Sequence, residues 1–92
     1  MPGVAVVTGA GRGFGREIAR RLAGRGYDVL ATDVDADAAA ATAELVAGAS
    51  LALDVRDPEA HRAAASAAAK RGQLEVWVNN AGVMRTGKAW EH

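Results

Sequence analysis

Short apolar runs recur along the chain and alternate with segments of helical pattern. The runs start near Val4, Val29, Leu51 and Val76, so successive starts lie 22 to 25 residues apart. Each run is continuously apolar rather than alternating, which is typical of strands that are covered on both faces. The pattern therefore predicts four buried strands separated by helices.

Three helices are expected in the gaps, each with recognisable start and stop signals. Apolar residues recur at four-residue spacing in the first, and alanine dominates the second and third, which favours helix. The first helix is predicted from Gly13 to Arg25, with Gly26 as the stop. The second starts at Asp35–Asp37, runs through Ala38–Val46 and is followed by Gly48. The third starts after Asp57, ends near Lys70 and Arg71, and is followed by Gly72.

The third helix has the clearest start signal. Asp57 is expected to cap it, Pro58 to take the first helical position and Glu59 to lie in the first turn. A proline at that position loses no hydrogen bond, because the first N–H groups of a helix have no partner within it.

These elements predict an α/β fold. Strand–helix–strand units of this length almost always connect with a right-handed crossover, which makes the sheet parallel. The expected order is β1-α1-β2-α2-β3-α3-β4, half of a doubly wound Rossmann-type parallel sheet. The 92 residues suffice for a single domain, and no linker, repeat or low-complexity segment divides residues 1–92.

Composition narrows the class of partner. Half of the residues are hydrophobic, and 11 basic residues balance 11 acidic ones, so we expect an ordered domain with no nucleic acid or membrane partner. The chain has no cysteine, and His61 and His92 have no ligand spacing, so neither a disulfide nor a metal site is expected. The first residues lead directly into the first strand without a charged or long apolar leader, which makes the cytoplasm the expected location.

A glycine-rich turn follows the first strand and opens the first helix. It reads Thr8-Gly9-Ala10-Gly11-Arg12-Gly13-Phe14-Gly15. Backbone N–H groups at such a helix start attract phosphate. The spacing does not fit G-x-G-x-x-G but does fit T-G-x-x-x-G-x-G. We expect a tight turn at Gly9, close backbone approach to a pyrophosphate at Gly13 and helix–strand packing at Gly15; a glycine turn without a ligand is the alternative.

Suggestive residues also stand at the carboxyl ends of the other three strands, where open α/β sheets bind ligands. Asp33 lies 18 residues after Gly15, close to the spacing of an acid that bonds the ribose hydroxyls of adenosine. Asp54 is placed to accept from an adenine amino group with Val55 near the ring, although Asp54 also fits as a simple strand end. The segment Asn79-Asn80-Ala81-Gly82 follows the fourth strand. All four strand ends thus point to one extended ligand.

Together these motifs closely resemble the N-terminal half of the classical short-chain dehydrogenase/reductase family. The resemblance runs from Val4 to about Gly82 in order and spacing. It implies the strand order 3-2-1-4 and a site for NAD or NADP. Phe14 stands where the family commonly has isoleucine.

The resemblance implies roles for the matching residues. Asn80, Ala81 and Gly82 would lie along the adenosine ribose and toward the nicotinamide, whereas Asn79 would tie the sheet together. The full set expected to bind the cofactor is Gly9, Gly11, Arg12, Gly13, Phe14, Gly15, Asp33, Asp54, Val55, Asn80, Ala81 and Gly82.

Asp33 favours NAD over NADP. Its carboxylate would face the 2′-phosphate of NADP, and at about 4 Å and an effective dielectric constant near 20 that repulsion is roughly 4 kcal/mol per unit charge before screening. Arg12 would attract the same phosphate and offset part of this repulsion. NAD is therefore the predicted cofactor, and NADP the less favoured one.

The family's catalytic groups have no match in this sequence. They are a serine and a Tyr-x-x-x-Lys motif downstream of the asparagine segment, whereas the single tyrosine here, Tyr27, precedes the second strand. No catalytic residue is therefore assigned. We expect an N-terminal, cofactor-binding part of an NAD(P)-dependent oxidoreductase that interconverts alcohol and carbonyl, truncated before the catalytic half and inactive alone. A full-length form is expected to be a homo-oligomer.

Two other functions fit part of the pattern. One is a stand-alone nucleotide-binding module without chemistry. The other is a half domain like that of S-adenosylmethionine methyltransferases, because Gly9 to Gly13 also reads G-x-G-x-G. Thr8, where such enzymes often place an acid, and the Asn79–Gly82 segment argue against the methyltransferase.

Overall fold

A four-stranded parallel sheet forms the centre of the molecule. The computed structural model describes residues 3–80, and the predicted site residues Ala81 and Gly82 lie outside that range. The strands are arranged in the order β3-β2-β1-β4, which confirms the predicted fold class and strand order. The elements are β1 (Val4–Val7), α1 (Gly13–Gly24), β2 (Asp28–Asp33), α2 (Ala36–Val46), β3 (Ala49–Ala52), α3 (Pro58–Arg71) and β4 (Leu74–Val78).

The helices cover both faces of the sheet. Val7 and Val29 point to the face on which Ile18 of α1 and Val46 of α2 pack. Val4, Val6 and Leu30 point to the opposite face, against Ala68 of α3. Because side chains of a strand alternate between faces, the two central strands must be apolar throughout, as their sequences are.

The helix ends follow the predicted signals closely. The Asp57 side chain accepts a hydrogen bond from the Glu59 N–H at 3.0 Å, and Pro58 is the first residue of α3. The end of α2 differs in detail, since Ala47 rather than a glycine takes the left-handed conformation, with φ of 53°. Gly48 is needed for another reason: a Cβ there would overlap the Val29 carbonyl of β2.

The edge strand β3 corrects one expectation. It begins at Ala49, ahead of the predicted start at Leu51, and Ser50 and Ala52 are exposed. The prediction of strands covered on both faces is therefore wrong for β3. Among the described residues β3 pairs with β2 alone, so one row of its side chains lies at the margin of the helix layer and meets solvent.

The opposite edge is formed by β4, which pairs with β1. It begins at Leu74, ahead of the predicted start at Val76, and Glu75 is exposed, so the prediction of a strand covered on both faces is wrong for β4 as well. Trp77 of β4 is half-buried against the cluster beneath α3 and stacks on the His61 ring, with centroids 5.6 Å apart. Within residues 3–80, every helix is too short or too polar to cross a membrane.

An ion pair joins the end of α3 to the start of β2. Arg71 donates to the two carboxylate oxygens of Asp28, at 2.9 Å from Nε and 2.7 Å from Nη2. The Asp28 carboxylate raises the pKa of Arg71 through these hydrogen bonds. About a third of each side chain is exposed, so the pair is partly shielded from water.

Replacing Arg71 tests the value of this pair. Arg71→Ala is expected to lower the free energy of unfolding of the full-length protein by about 1 kcal/mol. A bidentate, partly buried ion pair contributes more to stability than an exposed one. The measurement is urea denaturation followed by circular dichroism. Arg62→Ala is the matched control on α3, because its partner Glu59 is 73% exposed. Equal losses for both variants would contradict a special role for Arg71.

Candidate cofactor-binding site

A cleft runs along the carboxyl edge of the sheet. Its volume is about 400 Å³, and it is bordered by the turn after β1 and by the ends of β2, β3 and β4. The structure thus brings together residues that the sequence placed at four separate strand ends. Of the predicted site residues, those that line this cleft are Gly9, Arg12, Gly13, Phe14, Asp33, Asp54, Val55 and Asn80.

The glycine turn uses its glycines for different purposes. Gly9 and Gly13 have left-handed backbone conformations, with φ of 62° and 59°. A Cβ on Gly13 would meet no described atom within 4 Å, so open space lies beside it. Gly15 is different, because a Cβ there would overlap the Gly9 carbonyl and lie 2.8 Å from Asn80 Nδ2. Gly15 therefore permits the helix to approach the turn itself, rather than only the strand.

Asp33, the last residue of β2, is held by two backbone N–H groups. Its Oδ2 accepts from Gly11 at 2.9 Å and its Oδ1 from Asp35 at 3.0 Å. Each carboxylate oxygen has a second lone pair, so the group keeps the capacity to accept from hydroxyls. Gly11 does not line the cleft but makes this arrangement possible, since a Cβ there would lie 2.7 Å from Asp33 Oδ2 and 2.5 Å from Ala38 Cβ.

Two ion pairs border the cleft. Arg12 donates to Asp35 at 3.0 Å, and the Arg12 side chain is 72% exposed. Arg56 donates to both oxygens of Asp54, at 3.1 Å from Nε and 2.9 Å from Nη2. These bonds and the Asp54 charge raise the pKa of Arg56. Asp54 is thus engaged with a cation, a feature that the sequence reading of Asp54 omitted.

The segment after β4 is tied to the glycine turn. The Asn80 N–H donates to the buried Thr8 hydroxyl at 2.9 Å, and Asn80 Nδ2 donates to the Gly9 carbonyl at 3.2 Å. The Asn79 side chain also contacts Thr8, with 3.4 Å between Oδ1 and Oγ1. Thr8 therefore links the end of β1 to the end of β4 through side-chain and backbone contacts.

Sequence reasoning missed several residues of the cleft wall. Val34 is an exposed apolar side chain, at 64%, that lines the cleft beside Phe14, which was predicted and is 63% exposed. Both side chains offer apolar surface to a ligand, and the Phe14 ring offers a flat face to another aromatic ring. A signal existed for Val34, because it follows Asp33 directly and stands outside the strand. The other missed residues of the wall are Asp35, Leu53 and Arg56.

Comparison with known proteins identifies the family. A sequence model described as short chain dehydrogenase matches residues 3–92, almost the whole chain. The chain belongs to the short-chain dehydrogenase family. The chain is similar to the 3-oxoacyl-[acyl-carrier-protein] reductase FabG of Escherichia coli K12. The two are 39% identical over 85 residues, which are 89% of this chain and 35% of the relative.

Two of the similar solved structures hold a nicotinamide cofactor. The 3-ketoacyl-(acyl-carrier-protein) reductase from Brucella melitensis, complexed with NADH, is 35% identical with a TM-score of 0.76 over 82% of this chain and 32% of that one. A short chain dehydrogenase/reductase from Burkholderia phymatum, in complex with NAD, is also 35% identical and has a TM-score of 0.76. The match covers 83% of this chain and 29% of that one. The chain spans about a third of the length of these relatives.

The contact between α1 and the glycine turn gives a prediction. Gly15→Ala is expected to lower the free energy of unfolding by about 2 kcal/mol or more, because a methyl group there overlaps backbone that has no room to shift. Gly24→Ala, in the same helix, is the control. A Cβ on Gly24 would meet no described atom within 4 Å, and the change should stabilise by about 0.5 kcal/mol. Urea denaturation of the full-length variants measures both, and a harmless Gly15→Ala would refute the close approach.

Proposed function

We propose that this chain is the cofactor-binding part of an NAD-dependent short-chain oxidoreductase that interconverts an alcohol and a carbonyl. The observation that carries this proposal is the position of Asp33. Its carboxylate is held at the cleft by two N–H groups, next to a glycine turn that opens a helix. This arrangement fits an adenosine ribose with free hydroxyls beside a diphosphate.

The remaining residues of the cleft fit the other parts of the dinucleotide. The open space beside Gly13 suits the pyrophosphate, and Val55 and Asp54 suit the adenine. The proposal assigns Asn80, with Ala81 and Gly82, to the adenosine ribose and the nicotinamide side. NAD supplies a carbon that accepts or releases hydride, and the residues of this chain supply binding and orientation.

Charge at the cleft favours NAD over NADP. Asp33 would repel a 2′-phosphate, and its carboxylate can accept a hydrogen bond from the 2′-hydroxyl of NAD, which NADP lacks. Arg12, the cation that would attract such a phosphate, is paired with Asp35 at 3.0 Å. A phosphate bound there would have to compete with one carboxylate for Arg12 while facing another. The NADH and NAD complexes of the two similar structures support the same choice.

The chemical step is proposed for the protein at its full length. Because this chain contains no matched catalytic residue, we assign it cofactor binding and leave proton transfer to residues beyond it. A stand-alone nucleotide-binding module is the alternative. The two are distinguished by an assay of the full-length protein with NADH and a carbonyl compound. Loss of the absorbance of the reduced nicotinamide supports the oxidoreductase, and no loss supports the binding module.

Cofactor titration tests the role of Asp33. The unmodified full-length protein is expected to bind NADH at least about tenfold more tightly than NADPH, because repulsion and lost hydrogen bonds act together. Asp33→Ala should remove most of this preference, both by weakening NADH and by strengthening NADPH. Asp37→Ala is the control, since Asp37 is an exposed acid on α2 that does not line the cleft. Equal or tighter binding of NADPH by the unmodified protein would refute the proposal.

Arg12 gives a second prediction about the same preference. In the Asp33→Ala variant, NADPH should owe part of its affinity to Arg12, because the guanidinium then faces the 2′-phosphate without the Asp33 charge. Adding Arg12→Ala should weaken NADPH about fivefold and NADH by less than about twofold, as expected for one charge-assisted contact. Equal changes in both affinities would show that Arg12 does not recognise the phosphate.

A further inference from the structure

Two side chains, one from α1 and one from α2, donate hydrogen bonds to carbonyl groups of the glycine turn. Arg16 Nη2 donates to the Gly11 carbonyl at 2.7 Å, and Arg16 Nε donates to Thr42 Oγ1 at 3.1 Å. The Thr42 hydroxyl in turn donates to the Ala10 carbonyl at 2.8 Å. We call Arg16 and Thr42 the loop anchor. Neither residue is among those that line the cleft.

The loop anchor acts on Asp33 through a single peptide plane. A trans peptide is planar, and its C=O and N–H point in opposite directions. The hydrogen bond from Thr42 to the Ala10 carbonyl therefore fixes the direction of the Gly11 N–H as well. That N–H points to Asp33 Oδ2, at 2.9 Å. Arg16 fixes the next peptide plane, between Gly11 and Arg12, in the same way. Its bond to the Gly11 carbonyl makes the Arg12 N–H point away from Arg16.

Burial makes this arrangement depend on the anchor. Ala10 and Thr42 are completely buried, so water cannot replace the Thr42 hydroxyl at the Ala10 carbonyl. A buried carbonyl without a donor is unfavourable, and the peptide gains by rotating toward another partner. Rotation of this plane withdraws the Gly11 N–H from Asp33. The carboxylate then loses one of the two N–H groups that hold it.

We propose that Arg16 and Thr42 are positioning residues that set the preference of the cleft for NAD over NADP by fixing the orientation of the Asp33 carboxylate. This inference rests on the proposed function, in which Asp33 bonds the free ribose hydroxyls of NAD. NADH gains from a correctly oriented carboxylate, whereas NADPH is repelled by its charge in any orientation. Loss of the anchor therefore weakens NADH more than NADPH.

Thr42→Val in the full-length protein is the main test, because valine has nearly the shape of threonine and lacks the hydroxyl. Dissociation constants for NADH and NADPH are measured by titrating nicotinamide fluorescence. The affinity for NADH is expected to fall about tenfold and that for NADPH by less than about twofold, so the ratio falls about fivefold or more. Thr42→Ser, which keeps the hydroxyl, should restore the ratio. A role in stability alone would lower the active fraction and leave the ratio of the two constants unchanged.

Arg16→Met provides an independent variant that decides the matter if Thr42→Val does not fold. It should lower the same ratio about fivefold, because it removes the donors to the Gly11 carbonyl and to Thr42. Arg20→Met, one turn further along α1 and exposed, is the matched control and should leave the ratio unchanged.

The outcomes separate the two proposals. An unchanged ratio in the folded anchor variants, in a protein that prefers NADH, overturns the inference and leaves the proposed function standing. An equal shift by Arg20→Met also overturns it, because the effect would then follow from charge alone. If the unmodified protein shows no preference for NADH, the proposed role of Asp33 fails and the inference fails with it.

Discussion

The contact between the start of α1 and the turn at Gly9 determines the shape of the cleft edge. Gly15 lies so close to the Gly9 carbonyl that a methyl group would overlap it. The same carbonyl accepts from the Asn80 side chain. The helix start, the turn and the segment after β4 thus meet at one backbone oxygen. The shape of the cleft edge therefore depends on all three segments together.

The fold was predictable at positions where a residue type is compatible with only one kind of local structure. Val4–Val7 is apolar throughout because it is covered on both faces, and Pro58 can stand only where its missing N–H costs nothing. The edge was harder to predict. Ser50 belongs to β3 although it is polar, because an edge strand needs only one covered face. The apolar run of β3, which starts near Leu51, therefore begins later than the strand itself.

The candidate site was predictable in its polar and glycine residues, which act through local chemistry at strand ends. The apolar residues Phe14 and Val55 were predicted as well. The wall residues Val34, Asp35, Leu53 and Arg56 and the side chains that support the turn were not. The hydrogen bond between Arg16 and Thr42 joins residues 26 positions apart, and it exists because α1 and α2 lie side by side on the sheet. No local pattern distinguishes Arg16 from the other arginines of α1. Such a role emerges only from the packing of two helices.

The ion pair between Asp28 and Arg71 lies at the first residue of β2 and the last residue of α3, at the opposite end of the sheet from the cleft. The ion pairs at the cleft, by contrast, are exposed and join residues that line the cleft itself. This one stabilising pair is thus remote from the proposed cofactor site, whereas the contact at Gly15 lies beside it. Substitutions that exchange the charges at the cleft would therefore leave the pair between Asp28 and Arg71 intact.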